Sequence, residues 1–436
     1  MSRCSSFVAY VKNEGRGAKN WPGNGVSDCA KCGACSSVCP VYQATGRESL
    51  TARGRLHLLS KLTRPLSSQA FEEIFSKCLL CGACAASCPR GIDITAITIK
   101  ARRDITAPRG IAPLKKWFVQ QVLARPTLLS LAGRALGQID KATVLLPESS
   151  GLRLRLPQIP NLEPERGFIA KQNELSSPPQ VLYFTGCLAN HLSPAIARSA
   201  SGLLKRLCGK NIFAPPGQGC CGMAALSTGN LEQSIKLAKQ NITACSPPEW
   251  QDLPIFTSCA SCFAQLKDYP RLLANDKKWA ARAEKFARRV QEFSSYLLAH
   301  SQNGQSTFPT AGKNRKLVVY HDPCHLRFGA GSDTGKTSPS PARQLINLRP
   351  DLELTELPHG PQCCGQGGTF HISCPGLSNE IGQKLWQDFA KVNSSLLTTT
   401  CTGCLLQWQH GLKTAGIKAR VIHLALLLDS RSADYS

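Results

Sequence analysis

The sequence predicts an α+β chain: a helical N-terminal module over residues 1–107, followed by two duplicated α/β modules at 180–299 and 317–428. Three observations predict it. Two matched cysteine runs, "CAKCGACSSVCP" from residue 29 and "CLLCGACAASCP" from residue 78, are separated by a stretch with helical apolar spacing. Further on, a pattern of one cysteine, then C-C-G, then C-x-x-C occurs twice. Most of those cysteine groups end a short β-rich run and precede a helical one, the order of an α/β layer.

The first run supplies Cys29, Cys32, Cys35 and Cys39, then Pro40; the second supplies Cys78, Cys81, Cys84 and Cys88, then Pro89. Both read C-x2-C-x2-C-x3-C-P, the bacterial ferredoxin spacing, in which three close thiolates grip one cubane and the fourth reaches to the other. The expected ligand sets are therefore Cys29, Cys32, Cys35 and Cys88 for one [4Fe–4S] cluster, and Cys78, Cys81, Cys84 and Cys39 for the second. Gly33, Ala34, Gly82 and Ala83 let the backbone come close to sulfide. Paired zinc sites are the alternative, which the doubled four-cysteine spacing disfavours. Leu56, Leu59 and Leu62, then Phe71, Ile74 and Phe75, recur at helical spacing, so helices join the two loops. Arg47, Arg53 and Arg55 are expected either to flank cluster or partner charge or to form a plain basic helix face.

The second part begins at Cys187 ("GCLANH"), continues with Cys220–Cys221 ("GQGCCGMA") and ends with Cys259 and Cys262 ("TSCASCFAQ"). Its repeat has Cys324 ("DPCHLR"), Cys363–Cys364 ("PQCCGQGG"), and Cys401 and Cys404 ("TTCTGCLLQ"). Repetition at this length means duplicated modules. The runs "VLYFTGC", "LVVYHDPC", "LPIFTSCASC" and "SLLTTTCTGC" read as strands ending in cysteine, and helices are expected at 229–245 and 376–391. In such sheets ligands sit beyond the C-terminal strand ends, so five cysteines should meet at one edge of each module.

These motifs resemble the cysteine-rich CCG domain of heterodisulfide reductases and of iron–sulfur subunits of glycolate, lactate and anaerobic glycerol-3-phosphate dehydrogenases. Two ferredoxin motifs followed by two CCG modules cover nearly the whole chain and are most similar to the glycolate oxidase iron–sulfur subunit family. "CPVYQATGRESLTARGRLHLLSKL" matches it at Gly46, Glu48, Arg53, Gly54 and Arg55, as do "GCCG" at 219–222 and "CCGQGGTF" at 363–370. The resemblance implies an electron-transfer subunit of a glycolate or D-lactate dehydrogenase complex. FAD lies in partner subunits and a quinone or other respiratory acceptor takes the electrons. It implies a further cluster, or zinc, at Cys187, Cys220, Cys221, Cys259 and Cys262 and at Cys324, Cys363, Cys364, Cys401 and Cys404. The first set is complete here, whereas some family members lack one cysteine of it. The alternative reading is a heterodisulfide reductase-like thiol–disulfide reductase subunit with a catalytic CCG centre, and a third is a zinc-binding scaffold.

Composition bounds these readings. The chain has 436 residues, 22 of them cysteine, and 52 Lys+Arg against 28 Asp+Glu for a net charge of +24. A chain this long builds a core without disulfides, and clustered C-x-x-C and C-C pairs point to metal ligation in a reducing compartment. The start "MSRCSSFVAYVKNEG" lacks a signal-peptide core, and no run is long enough for a membrane helix. A cytoplasmic place, with peripheral contact at the inner face of the membrane, is the expectation. Aromatics are 6% and no nucleic-acid motif occurs, which argues against nucleic acid. No nucleotide fingerprint appears, so hydride chemistry belongs elsewhere. Cys4, Cys208, Cys245 and Cys374 read as small buried hydrophobes. His321 and His325 flank Cys324 and read either as metal or thiolate partners or as loop histidines; His359 and His371 have a weaker claim. Residues 108–179 read as a helical, basic linker, 300–316 as an exposed one, and 429–436 as a tail.

Overall fold

A computed structural model of the chain describes residues 23–61, 68–109, 168–171, 178–301, 315–330 and 340–429. Cys4, Leu62, most of the 108–179 and 300–316 linkers and nearly all of the tail lie outside the described residues.

The N-terminal module is helical, as the apolar spacing requires. Helix Ala52–Lys61 turns Leu56 and Leu59 inward, and helix Gln69–Ser76 does the same with Phe71 and Phe75. Ser68 caps the latter by accepting the Phe71 N–H at 3.2 Å, satisfying one of the free donors of a helix start. These residues meet Ile97, Ala101 and Ile105 of helix Ile94–Arg109 in one small core.

Each cysteine-rich module is a four-stranded parallel sheet. The first holds β1 (Val181–Tyr183), β2 (Ile212–Phe213), β3 (Ile255–Thr257) and β4 (Val290–Glu292) in the order β2-β1-β3-β4. The second holds β5 (Lys316–Tyr320), β6 (Leu352–Thr355), β7 (Leu396–Thr399) and β8 (Arg420–His423) in the order β6-β5-β7-β8. All pairings are parallel, with Leu182 opposite Ile255 and Val319 opposite Leu397. The helices expected at 229–245 and 376–391 run over Leu231–Ala244 and Pro375–Ala390. In each order the chain reverses direction between its first and third strands, β1/β3 and β5/β7, which opens a crevice beyond their C-terminal ends.

The two modules bury their faces against each other. Leu182, Phe184, Phe263, Val319, Leu385 and Trp408 share one apolar cluster, and Tyr183, Phe256, Tyr320, Leu345 and Leu424 share another. The duplication extends to buried polar pairs. Tyr183 Oη meets Ser258 Oγ at 2.7 Å, and Tyr320 Oη meets Thr400 Oγ1 at 3.1 Å. The helical module docks on the second cysteine-rich module through Val41, Leu50 and Leu79 against Phe370 and Ile381. It reaches the first through an ion pair between Asp93 and Arg271.

Arg349 shows how the second module fixes its C-terminal helix. The guanidinium is buried, pairs with Asp351 at 2.7 Å and donates to the Leu427 carbonyl at 3.0 Å. Removing one partner strands a buried charge, so Asp351→Asn should cost about 3–5 kcal/mol, read as a lower denaturant midpoint. The exposed Arg206–Asp429 pair (2.5 Å) should cost about 0–1 kcal/mol on Asp429→Asn. Equal losses would contradict this ranking.

Candidate metal centres

The two ferredoxin-type loops have one conformation. Lys31 and Leu80, each just before the second cysteine of its run, both have φ of 55°. Gly33 and Gly82, each just after it, have φ of 85° and 84°. Left-handed residues alternating with ordinary ones curl successive N–H groups toward one centre, an arrangement suited to an anionic cluster. Gly82 is required twice over: a Cβ there would lie 3.0 Å from Phe328 Cβ in the neighbouring module.

Two cavities lie behind these loops. One is walled by Cys29, Cys32, Cys35 and Cys88, with Cys84 at its border and Leu56, Ile92 and Ile94 around it. The other is walled by Cys39, Cys78, Cys81 and Cys84, with Val41, Leu79 and Ile94. The first thus gathers three cysteines of one run and two of the other, the second three and one, and Cys84 borders both. Burial pushes the Cys84 and Cys81 thiols well up, reinforced by neighbouring thiols. At Cys78 burial is outweighed by Arg55 and Arg102, which hold it below its ordinary value. A dry pocket of crowded thiols beside fixed cations fits a metal cluster, whose ligands must be deprotonated.

Of the three arginines singled out from sequence, Arg55 belongs to the site. It is 3% exposed and donates to the carbonyls of Ile74 and Lys77 at 3.1 and 2.7 Å. Arg53 borders the first cavity and donates to the Lys31 carbonyl of its loop at 3.2 Å while pairing with Glu48, and Arg47 pairs with Glu73 near the surface. Sequence reasoning missed Arg102. This buried side chain donates to the carbonyls of Phe75, Ser76 and Cys78 in the helical module and to that of Ser227 in the first cysteine-rich module. Its signal was a charge on the apolar side of an amphipathic helix.

The cysteine-rich modules place their thiols at the crevices the strand orders create. Cys187 follows β1 and Cys259 follows β3; Cys324 follows β5 and Cys401 follows β7. Cys259 and Cys401 are equivalent down to the backbone, each preceding a helix, with φ,ψ of −119°, 119° and −123°, 117°. A helix start favours the thiolate. Gly186 is needed beside them, since its φ is 70° and a Cβ would meet Cys262 Sγ at 2.9 Å.

The five thiols of the first module touch in series. Cys187 faces Cys220, Cys220 faces Cys221, Cys221 faces Cys262, and Cys262 faces Cys259. In the second, Cys324 faces Cys363, Cys364 Sγ lies 3.5 Å from Cys404 Sγ, and Cys404 faces Cys401. The two sets also meet each other, because Cys259 and Cys401 are hydrogen-bond neighbours. Thr402 Oγ1 lies 3.2 Å from Cys259 Sγ, and Ser261 Oγ lies 3.3 Å from Cys401 Sγ, so each module supplies a hydroxyl to a thiol of the other. Cys401 is pushed up to about 12, first by its hydrogen bond to Cys259. On the far side Cys81 of the helical module feels Cys363, and Cys324 feels Cys81. Eighteen cysteines from three modules therefore form one connected set of sites, with the second cysteine-rich module in the middle.

The remaining candidates divide. His321 joins Cys364 and Cys404 in a buried group. His325 Nδ1 bonds Ser261 Oγ at 2.8 Å across the module interface. His359 pairs with Asp388, and His371 with Gln366, whose backbone faces Cys364. Cys208 and Cys245 are buried, and burial raises them to about 11 and about 12. Cys374 differs from the expected buried hydrophobe: it is half-buried at the start of helix Pro375–Ala390.

A 4Fe–4S dicluster domain model matches residues 25–92, and a cysteine-rich CCG domain model matches 181–267 and 318–409. The probable glycolate oxidase iron–sulfur subunit of Bacillus subtilis (strain 168) is 27% identical over 423 residues, covering 92% of this chain and 93% of that protein. Uncharacterized protein YkgE of Escherichia coli (strain K12) is 32% identical over 251 residues, covering 58% of this chain and 99% of its own. The chain belongs to the glycolate oxidase iron–sulfur subunit family. One of the subunits of the fumarate reductase (CoM/CoB) of Methanothermobacter marburgensis is also similar, 28% identical over 441 residues, covering 98% of this chain and 77% of that protein. This iron–sulfur subunit joins a 4Fe–4S dicluster domain to two CCG domains. Among its described residues no helix is long and apolar enough to cross a membrane.

Arg102 links the dicluster domain to the first CCG domain through one guanidinium. Arg102→Met keeps the stem and leaves buried carbonyls unpaired, at about 1–3 kcal/mol for each group left dry. Hydrogen exchange should rise together in the segment before Cys78 and in Met223–Ser227. Unchanged protection at 223–227 would mean that Arg102 does not hold the junction.

Proposed function

We propose that this chain is the iron–sulfur electron-transfer subunit of a glycolate or D-lactate dehydrogenase complex. In this reading it receives electrons from partner FAD subunits and delivers them to a quinone or other respiratory acceptor. The observation that carries the proposal is the unbroken series of cysteine sites, from the cavity of Cys29 through that of Cys81 to Cys363 and across Cys401–Cys259 to Cys187. Such a series suits relay rather than bond-making chemistry on an organic substrate.

Cys29, Cys32, Cys35 and Cys88 would hold one [4Fe–4S] cluster, and Cys78, Cys81, Cys84 and Cys39 the other; when bound, these groups supply one-electron transfer. The two CCG sets, Cys187, Cys220, Cys221, Cys259 and Cys262, and Cys324, Cys363, Cys364, Cys401 and Cys404, would each hold a further cluster or zinc. The protein's own part is to fix the spacing, exclude water with Leu56, Leu79 and Ile94, and set local charge with Arg55 and Arg102. At the far end, a cavity of about 740 Å³ opens between the helix bearing Cys187 and the helix bearing Cys404. Leu188, Leu192, Leu405, Leu412 and Ile417 line it, with Lys413, Lys418 and Arg420 at its edge. Its size and apolar walls suit a small amphiphilic acceptor such as a quinone. Peripheral membrane contact would follow from that acceptor.

The likeness to a fumarate reductase (CoM/CoB) chain keeps one other reading in view, a thiol–disulfide reductase with a catalytic CCG centre. Disulfide turnover by the reconstituted chain, lost on Cys363→Ser, would favour it over relay.

Two outcomes test the leading reading. The tagged chain, purified from its source, should bring an FAD protein with 2-hydroxy-acid dehydrogenase activity; recovery of none would overturn the proposal. Cys39→Ser should abolish the EPR signal of the cluster held by Cys78, Cys81 and Cys84 and spare the other. The reverse pattern would refute the cross-ligation.

A further inference from the structure

The duplicated modules differ at one position that faces the thiols. Three residues before Cys187 the first has Phe184; three residues before Cys324 the second has His321. Both follow the first strand of their sheet and both are buried, at 0% and 2% exposure. His321 Nε2 is enclosed and finds no nitrogen or oxygen partner, and the ring faces the Cys364 thiol as a hydrogen-bond neighbour. Nitrogen and sulfur atoms of His321, Cys364 and Cys404 all lie within 4.8 Å of one another.

A buried histidine in a merely structural role satisfies its ring. His423 in the same module shows this: Nε2 meets the Ser258 carbonyl at 2.8 Å, and Nδ1 accepts the Ala425 N–H at 3.1 Å. His321 is held as firmly without that satisfaction. Its N–H donates to the Thr398 carbonyl at 2.9 Å, its carbonyl accepts Thr399 Oγ1 at 3.1 Å, and its ring packs edge-on to Trp408 at 5.5 Å. Trp408 lies on the helix that carries Cys404. An unpaired polar atom in such a place costs about 1–3 kcal/mol, and the ring that carries it adjoins two thiols. Tetrahedral sulfur ligands with bonds of about 2.3 Å stand about 3.8 Å apart, close to the 3.5 Å between these two sulfurs.

We infer that His321 is a nitrogen ligand of the metal centre in the second CCG module, completing a site with Cys364 and Cys404, while the first module offers only sulfur. This rests on the reading that the CCG cysteines hold metal. Where the imidazole takes the metal position of one of the module's five thiolates, the centre carries one negative charge less. In clusters, that exchange raises the reduction potential. The second module, which faces Cys81, would then hold electrons more readily than the first.

The test uses the full chain. Iron, sulfide and zinc are counted first, against about eight irons for two [4Fe–4S] clusters. Where the additional metal is iron, pulsed EPR on protein labelled with ¹⁵N-histidine should show a strongly coupled nitrogen. Where it is zinc, Zn-edge absorption should show a light-atom ligand at about 2.0–2.1 Å. Either signature should be lost in His321→Phe, which installs the first module's residue, with both dicluster EPR signals retained. If His321→Phe does not fold, His321→Gln serves in its place. Additional metal with no nitrogen signature, or a signature that survives the substitution, overturns the assignment alone. No metal beyond the eight irons overturns it together with the reading of the CCG sites as metal centres.

Discussion

Sulfur ligands buried in a crowd are unfavourable until a cation sits among them. Burial raises each thiol, every ionised neighbour raises it further, and water is not there to compensate. This chain gathers such groups repeatedly, and its architecture follows from making that tolerable. Cysteines stand at strand ends and helix starts, where backbone N–H groups face them. Arg55 and Arg102 bring buried positive charge to Cys78. Each guanidinium is itself held by main-chain carbonyls rather than by carboxylates, so its charge stays directed at sulfur.

The duplication is close in backbone and unequal in surroundings. Both sheets reverse between their first and third strands, and both carry a cysteine before a helix at the same dihedral angles. The dicluster domain covers the second module's thiols through Cys81, whereas the first module's Cys187 lies on a helix that borders an open apolar cavity. The helix bearing Cys404 borders the same cavity, so what sets the two sites apart is the dicluster domain beside the second. The exchange of Phe184 for His321 runs along the same division.

Much of this was legible in sequence because it is local. The spacing of Cys29–Cys39 and Cys78–Cys88 determines which thiols can curl around one point, and each cavity gathers cysteines of both runs. The β-rich runs before Cys187, Cys259, Cys324 and Cys401 end where the strands end. What escaped depends on how modules pack. Nothing near Cys259 in sequence announces Cys401, 142 residues on; their contact exists because two sheets present their crevices to each other. Arg102 stands as one more charge in "KARRD", and of the four carbonyls that hold it, that of Ser227 comes only with the docked first module. Arg47, which sits in the same motif as Arg55, turns outward to a glutamate, while Arg53 reaches the loop of the first cavity.

The Arg102 junction bears on how the dicluster domain works as a machine part. Residues 110–167 connect it to the rest along the chain, and a tether of that length alone would make it a carrier that finds its target by diffusion. A guanidinium shared between Phe75, Ser76, Cys78 and Ser227, with Leu79 wedged against Phe370, makes the separation of the sites a property of packed side chains instead. In the proposed relay, electron passage across the junction would then have the character of conduction through a solid. It would be indifferent to solvent viscosity and to the length of the connecting segment, and sensitive to ångström-scale slack at one arginine.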